Sequence, residues 1–204
     1  IKCRKAGLSP KVTVIVATAQ SLKLHGGVPE ADIKQQNLEG LKNGLKNLDR
    51  HIDNLQGFGQ QVIVTFNRFA TDTDEEIALV AEHCREKGVG FALNTVFAEG
   101  GKGGEELARL VIDTIEQHPS APLKFTYEDS DSVRTKIEKV AKGIYRAGMV
   151  TYTTLAEKKM KQIDELGISH YPICIAKTQY SFSSDPKAYG DVKDFELKVR
   201  DVVI

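Results

Sequence analysis

The sequence is poor in the residues that mark a disulfide-stapled, membrane-embedded or polyanion-binding protein. Of its 204 residues only three are cysteine, Cys3, Cys84 and Cys174, far apart and odd in number. Neither a disulfide framework nor a Cys-x-x-Cys metal site can be drawn from them, and a reduced, cytoplasmic setting is expected. Charge of neither sign is in surplus: 28 Lys and Arg face 28 Asp and Glu. A chain with no basic excess is not built around nucleic acid or an anionic membrane as its main partner. No apolar run approaches the ~20 residues that a membrane-spanning helix needs. The basic opening residues are followed by no apolar segment of the signal-peptide kind. The five histidines, His25, His51, His83, His118 and His170, are scattered, with no pair at metal-ligand spacing. There is no Gly-x-Ser-x-Gly elbow for a nucleophilic serine. The chain opens on Ile1 and closes on the apolar residues Val202, Val203 and Ile204, and is expected to be a fragment of a longer protein.

What is present is a core and a rhythm. Hydrophobic residues make up 41% of the chain, and they recur in two alternating patterns. Residues 12–18 are a β-branched run without polar alternation, as in a strand buried on both faces of a parallel sheet. Beyond Pro29, apolar residues at 38, 41, 45, 48, 52 and 55 form one helical stripe, and Gly57 and Gly59 end it. A second strand is expected at 62–66. A helix follows it, with Thr73 as N-cap and Glu76 three residues on as its capping-box partner. Its inner stripe is Ile77, Val80, Ala81 and Cys84, so Cys84 reads as a small core residue and not as a nucleophile. His83 lies beside that stripe as a solvated or hydrogen-bonded side chain. A third strand at 89–93, a loop at 94–104 and a helix at 105–117 complete three strand–helix repeats. Such repeats imply right-handed crossovers and a parallel sheet.

Pro119 and Pro122 break the rhythm. A boundary is placed there, giving an α/β domain over 1–122 and a smaller, incomplete α+β domain over 123–204. In the second part helices are expected at 132–145 and from Thr153 or Thr154 to Gly167, with strands at 173–176 and 195–204 and a polar loop between them. The fold class is therefore α/β: a Rossmann-like three-layer parallel sheet, followed by the smaller domain.

Two stretches carry chemistry by position. Residues 16–27, VATAQSLKLHGG, leave the first strand abruptly for Lys23, His25, Gly26 and Gly27. In open α/β sheets ligands collect beyond the carboxyl ends of strands, so this stretch reads either as one wall of a site or as an ordinary strand-to-helix connection. Phe69 and Phe97 stand in polar stretches just past the second and third strands. They are placed to stack on a flat ring or to plug the core. The run Gly100-Gly101-Lys102-Gly103-Gly104 resembles a phosphate cradle at a helix start. It lacks the spacing of a Walker A loop and the Ser or Thr after the lysine.

Residues 16–27 resemble the second signature of the formate–tetrahydrofolate ligase family (10-formyltetrahydrofolate synthetases), V-A-T-[IV]-R-A-L-K-x-[HN]-G-G. Val16, Ala17, Thr18, Leu22, Lys23, His25, Gly26 and Gly27 match it, whereas Ala19, Gln20 and Ser21 depart from it. Gln20 replaces an arginine, so a fixed cation is lost there. Further family-like segments follow in order across the whole chain: KCRKAG at 2–7, NRFATDT at 67–73, GGKGG at 100–104 and AKTQYS at 176–181. The resemblance implies the middle domain and part of the last domain of a ligase that makes 10-formyltetrahydrofolate from formate, tetrahydrofolate and ATP through formyl phosphate. It implies Mg2+, activation by a monovalent cation, a homotetramer and the small molecules formate, tetrahydrofolate and ATP as partners. By resemblance Phe69 and Phe97 hold the pterin, Ala70 stands beside them where proline is usual, and Leu93 lines the nucleotide or folate pocket. Phe97 occupies a position usually held by tryptophan, of which this chain has none. The family's P-loop is not in this sequence, so no catalytic residue is assigned, and the chain alone is expected to lack ligase activity. The alternative is a non-catalytic binding or assembly module of the same fold. An intact P-loop upstream would favour the ligase.

Overall fold

The β-branched run near the N-terminus does form a strand, β1 (Thr13–Ala17), and it lies at one edge of a parallel sheet. The computed structural model describes residues 1–204. It divides into two compact units, Gly7–Lys124 and a second made of Ile1–Ala6 with Phe125–Ile204.

In the unit Gly7–Lys124, β1 pairs with β2 (Val62–Asn67), and β2 pairs with β3 (Gly90–Asn94), all parallel. The spatial order β1-β2-β3 follows the chain without a reversal. Two helices make the crossovers, α3 (Leu38–Gly57) and α4 (Asp74–Glu86). Two successive right-handed crossovers in one direction put both helices on the same face, and the core there shows it. Val62, Val64 and Phe66, every second residue of β2, pack with Leu41, Leu45, Leu48 and Ile52 of α3 and with Val80 and Cys84 of α4. The period of two in the strand meets the period of 3.6 in the helices. On the opposite face α6 (Glu105–Gln117) brings Leu110 over Gly90, beside Ile63 of β2. Helices therefore lie on both faces and the α/β reading of the sequence holds, but β1 is not buried on both faces as its unbroken run suggested: at the sheet edge its Val16 is 59% exposed.

Local signals explain where the helices begin. Thr73 accepts from the Glu76 N–H while the Glu76 carboxylate accepts from the Thr73 N–H, which is the expected capping box. Asn37 caps α3 through the Gly40 N–H. His83 is hydrogen-bonded to Asp49 of α3 at 2.7 Å, so it is a partnered surface histidine. Two expectations need correction. Residues 19–25 are not loop but a helix, α2 (Ala19–His25), because Thr18 leaves the strand in an extended conformation and accepts the Ser21 N–H as an N-cap. The stretch 94–104 is likewise not open loop: it holds the short helix α5 (Val96–Glu99) and a tight 3-10 turn over Gly100–Gly104.

Cys84 is fully buried on the inner face of α4, and burial, followed by the charge of Asp49, pushes its thiol up to about 11. Since the thiolate is the reacting form, a disulfide-exchange reagent should label Cys84 slowly in the native protein and rapidly in denaturant. Cys174, which is exposed, provides the internal reference. Equal native rates at the two sites would show that α4 presents a different face to the sheet.

In the second unit, α1 (Lys2–Lys5) packs through Arg4, whose guanidinium lies 4.0 Å from the centre of the Phe125 ring and donates to the Tyr127 carbonyl at 2.8 Å. Two parallel strands, β4 (Met149–Tyr152) and β5 (Glu196–Val199), pack with α7 (Val133–Gly143) and α8 (Thr154–Glu165). The caps Ser132 and Thr153 are where the sequence puts them. The expected strand at 173–176 does not form. Ile173 and Ile175 bury their side chains against Val133, Ile137, Met160 and Ile163, but no strand pairs with their backbone. Strand β4 was not foreseen, being four residues between a glycine and a helix cap. The Lys136 ammonium, buried, is held by the Ser169 carbonyl at 2.6 Å and the Tyr171 carbonyl at 3.1 Å.

Candidate functional site

The carboxyl ends of the three parallel strands are level. Ala17 pairs with Phe66, Phe66 with Leu93 and Asn67 with Asn94. Three connections therefore leave one end of the sheet side by side, each carrying residues singled out by the sequence.

The first connection is α2. Its Lys23 is not presented to solvent. The side chain is completely buried, and its ammonium donates to Glu76 Oε1 at 2.9 Å and to the Gln35 carbonyl at 2.8 Å. Glu76 also accepts from the Asn37 N–H at 3.1 Å and the Thr73 N–H at 3.2 Å. Burial pushes the Glu76 carboxyl up. The hydrogen bonds from Lys23, Asn37 and Thr73 more than offset that, so its pKa ends below the ordinary value. A buried charge is tolerated only when paired and hydrogen-bonded in this way. Lys23 thus ties α2 to the start of α3 and the start of α4. His25, at the end of α2, is half-buried, and burial lowers its pKa. The pKa of His51 on α3 is lowered by burial and then by the charges of His25 and Arg50. Gly26 follows at the point where α2 touches the backbone of α3, and Gly27 turns the chain with φ of 88°.

The second connection, residues 68–73, turns at once. The Arg68 N–H donates to the Asn94 carbonyl of β3 at 3.1 Å, and the Arg68 guanidinium pairs with Asp74 at 2.8 Å. Phe69 is 47% exposed and Ala70 is also exposed. In the third connection Phe97 is fully exposed at 103% and Val96 is 44% exposed. Both rings thus stand in water just past neighbouring strand ends, and neither plugs the core. Leu93 is half-buried and packs against the core on the face covered by α3 and α4. The glycine run after α5 folds back on the strand end: Gly103 is buried, and its carbonyl accepts the Thr95 N–H at 3.1 Å. Its neighbours Gly101 and Lys102 remain exposed.

No group of three or more His, Cys, Asp or Glu side chains is placed to hold a metal ion.

Three residues that shape this end of the unit carry no obvious mark in the sequence. Asp72, buried next to Phe69, could have been suspected from its spacing: an acidic side chain three residues on can reach back to a backbone N–H, as in a capping box. Gly40 and Gly44 of α3 are the other two. Two glycines four apart inside a helix cost helix propensity and signal a close neighbour.

The family model for formate–tetrahydrofolate ligase matches residues 1–204. Among similar proteins, the formate–tetrahydrofolate ligase of Parabacteroides distasonis is 78% identical over all 204 residues. That of Bacteroides fragilis is 63% identical over 204 residues, and that of Campylobacter concisus 49% over 205. The chain is covered completely in each case but spans only 37% of the length of these relatives. With this continuous similarity from first residue to last, the chain belongs to the formate–tetrahydrofolate ligase family.

Proposed function

We propose that the chain is the part of an ATP-dependent ligase that carries its folate wall. The whole enzyme would join formate to tetrahydrofolate in two steps. Formate first attacks the γ-phosphorus of ATP, giving formyl phosphate and ADP. An amine of tetrahydrofolate then takes the formyl group and releases phosphate, leaving 10-formyltetrahydrofolate. In this reading Phe69 and Phe97 sandwich the pterin, with Ala70 beside them and Leu93 supporting the wall from the core side. The two large rings standing exposed at adjacent strand ends are the observation that supports it. Large exposed apolar side chains grouped on a rigid sheet edge mark binding surfaces, and a flat heterocycle between two rings gains ~0.5–1.5 kcal/mol per aromatic contact beyond area burial. Phosphoryl transfer requires a phosphate cradle and charge clamps. These are assigned to the longer protein and not to these residues.

The test is tetrahydrofolate affinity by calorimetry together with thermal unfolding. Phe97→Ala and Phe69→Ala are each expected to weaken binding by about tenfold, the equivalent of 1.4 kcal/mol. Because the Phe97 ring is fully exposed, its removal should leave the melting temperature unchanged. Phe97→Trp should strengthen binding. Unchanged affinity in both alanine variants would remove the rings from the site.

A further inference from the structure

Phe69 is an exposed aromatic on a loop, yet its backbone is held on both sides by one buried residue. The Phe69 N–H donates to Asp72 Oδ2 at 2.8 Å, and the Asp72 N–H donates back to the Phe69 carbonyl at 3.0 Å. Asp72 itself is only 6% exposed, and its second oxygen, Oδ1, is buried without a hydrogen-bond partner. A buried carboxyl with one oxygen unpaired works against folding, and its other oxygen is spent on the Phe69 N–H. Burial and the nearby Glu76 raise its pKa against the opposing Phe69 N–H, Lys23 and Arg68. The contact that this cost maintains is the grip on Phe69. Phe97 sits in a four-residue helix whose first N–H, that of Val96, is accepted by the Asn94 side chain at 3.0 Å.

We infer that Asp72 is a positioning residue that fixes the Phe69 backbone at the strand end, so that this aromatic of the folate wall is held at the place where it is displayed. The inference rests on the folate reading for its purpose, though not for its geometry. Holding in place the backbone that carries the ring lowers the ordering cost of binding. Asp72 acts through Phe69 and needs no contact with substrate.

The geometry is checked first without a ligand. In the wild-type 204-residue chain, the NMR shift of the Phe69 amide should follow the titration of Asp72, and this amide should be protected from hydrogen exchange. Asp72→Asn, which keeps an acceptor oxygen, should preserve the protection and abolish the titration. Asp72→Ala should expose the amide. Calorimetry with tetrahydrofolate then tests the purpose. Asp72→Ala should weaken binding about as much as Phe69→Ala, roughly tenfold, whereas Asp72→Asn should bind like wild type. Adding Asp72→Ala to Phe69→Ala should weaken binding no further, since residues acting through one another are not additive. A Phe69 amide indifferent to Asp72 in the wild-type chain overturns the inference, and so do additive losses in the double variant. If Phe69→Ala binds tetrahydrofolate as wild type does, the folate reading fails, while the amide measurement still decides whether Asp72 holds the loop.

Discussion

Removing either partner of the buried pair Lys23–Glu76 should cost about 3–5 kcal/mol, because the charge left behind has neither water nor a counter-ion. Lys23→Met and Glu76→Leu are the variants of choice, since both fill the space with apolar atoms. Both side chains are fully shielded from solvent at 2.9 Å, so the small worth of surface ion pairs does not apply. Small domains are stable by about 5–15 kcal/mol, so each single variant should sit near the edge of folding. Urea unfolding monitored by circular dichroism measures the loss. The double variant Lys23→Met with Glu76→Leu should recover much of it, as no orphaned charge remains. The pair also predicts a pH dependence. The folded pKa of Glu76 lies below its ordinary value. Its contribution is therefore complete above the ordinary carboxylate range and is lost as pH falls through the depressed folded value. A loss under ~1 kcal/mol in either single variant would mean that water reaches the pair.

The second large effect concerns the crossing of α2 and α3. A Cβ built on Gly44 would lie 1.8 Å from the Leu22 carbonyl oxygen, and one on Gly26 would lie 1.7 Å from the Gly40 carbonyl oxygen. The two helices touch backbone to backbone, and a methyl group at either place forces them apart by more than an ångström. For Gly44→Ala two effects compete. Alanine is the better helix former by ~1 kcal/mol, while overpacking a rigid contact costs ~1–3 kcal/mol or more. The obstacle here is main chain and not a flexible side-chain tip, so the steric penalty should win, with a net loss of about 2 kcal/mol or greater. Gly57→Ala is the control, in the same helix with nothing within 4 Å of the added carbon, and it should be neutral or stabilising. If Gly44→Ala melts at or above the wild-type temperature, the close crossing is wrong. The crossing also carries α2, and with it Lys23, to Glu76, so both expected losses arise at one junction.

Much of the first unit was legible because its signals are local. The run at 12–18 is short and rich in β-branched residues, which suits a strand, and the stripe of α3 has the 3.6-residue period of a helix. Thr73 and Glu76 satisfy one another across three residues, and Cys84 falls on a helix face that can only point inward. The same locality explains the failures. Helix α2 has seven residues, too few for its period to outweigh the loop-like look of Lys23, His25 and the glycines. In the second unit Ile173 and Ile175 alternate as a strand does, but alternation reports burial of side chains, not a partner for the backbone.

By itself, then, the chain determined its long helices, most of its strands, the parallel layout of its first sheet and its family. Each of these follows from spacing along the chain or from motifs read in order. Only the tertiary structure decided what Lys23 and Asp72 do. Lys23 meets Glu76 across 53 positions, and Asp72 is buried only in the folded unit, where its carboxylate accepts the Phe69 N–H. A cation next to two glycines looks the same in sequence whether it faces a ligand or an internal carboxylate. The difference is burial, which is a property of the packed sheet and its helices and of no segment taken alone.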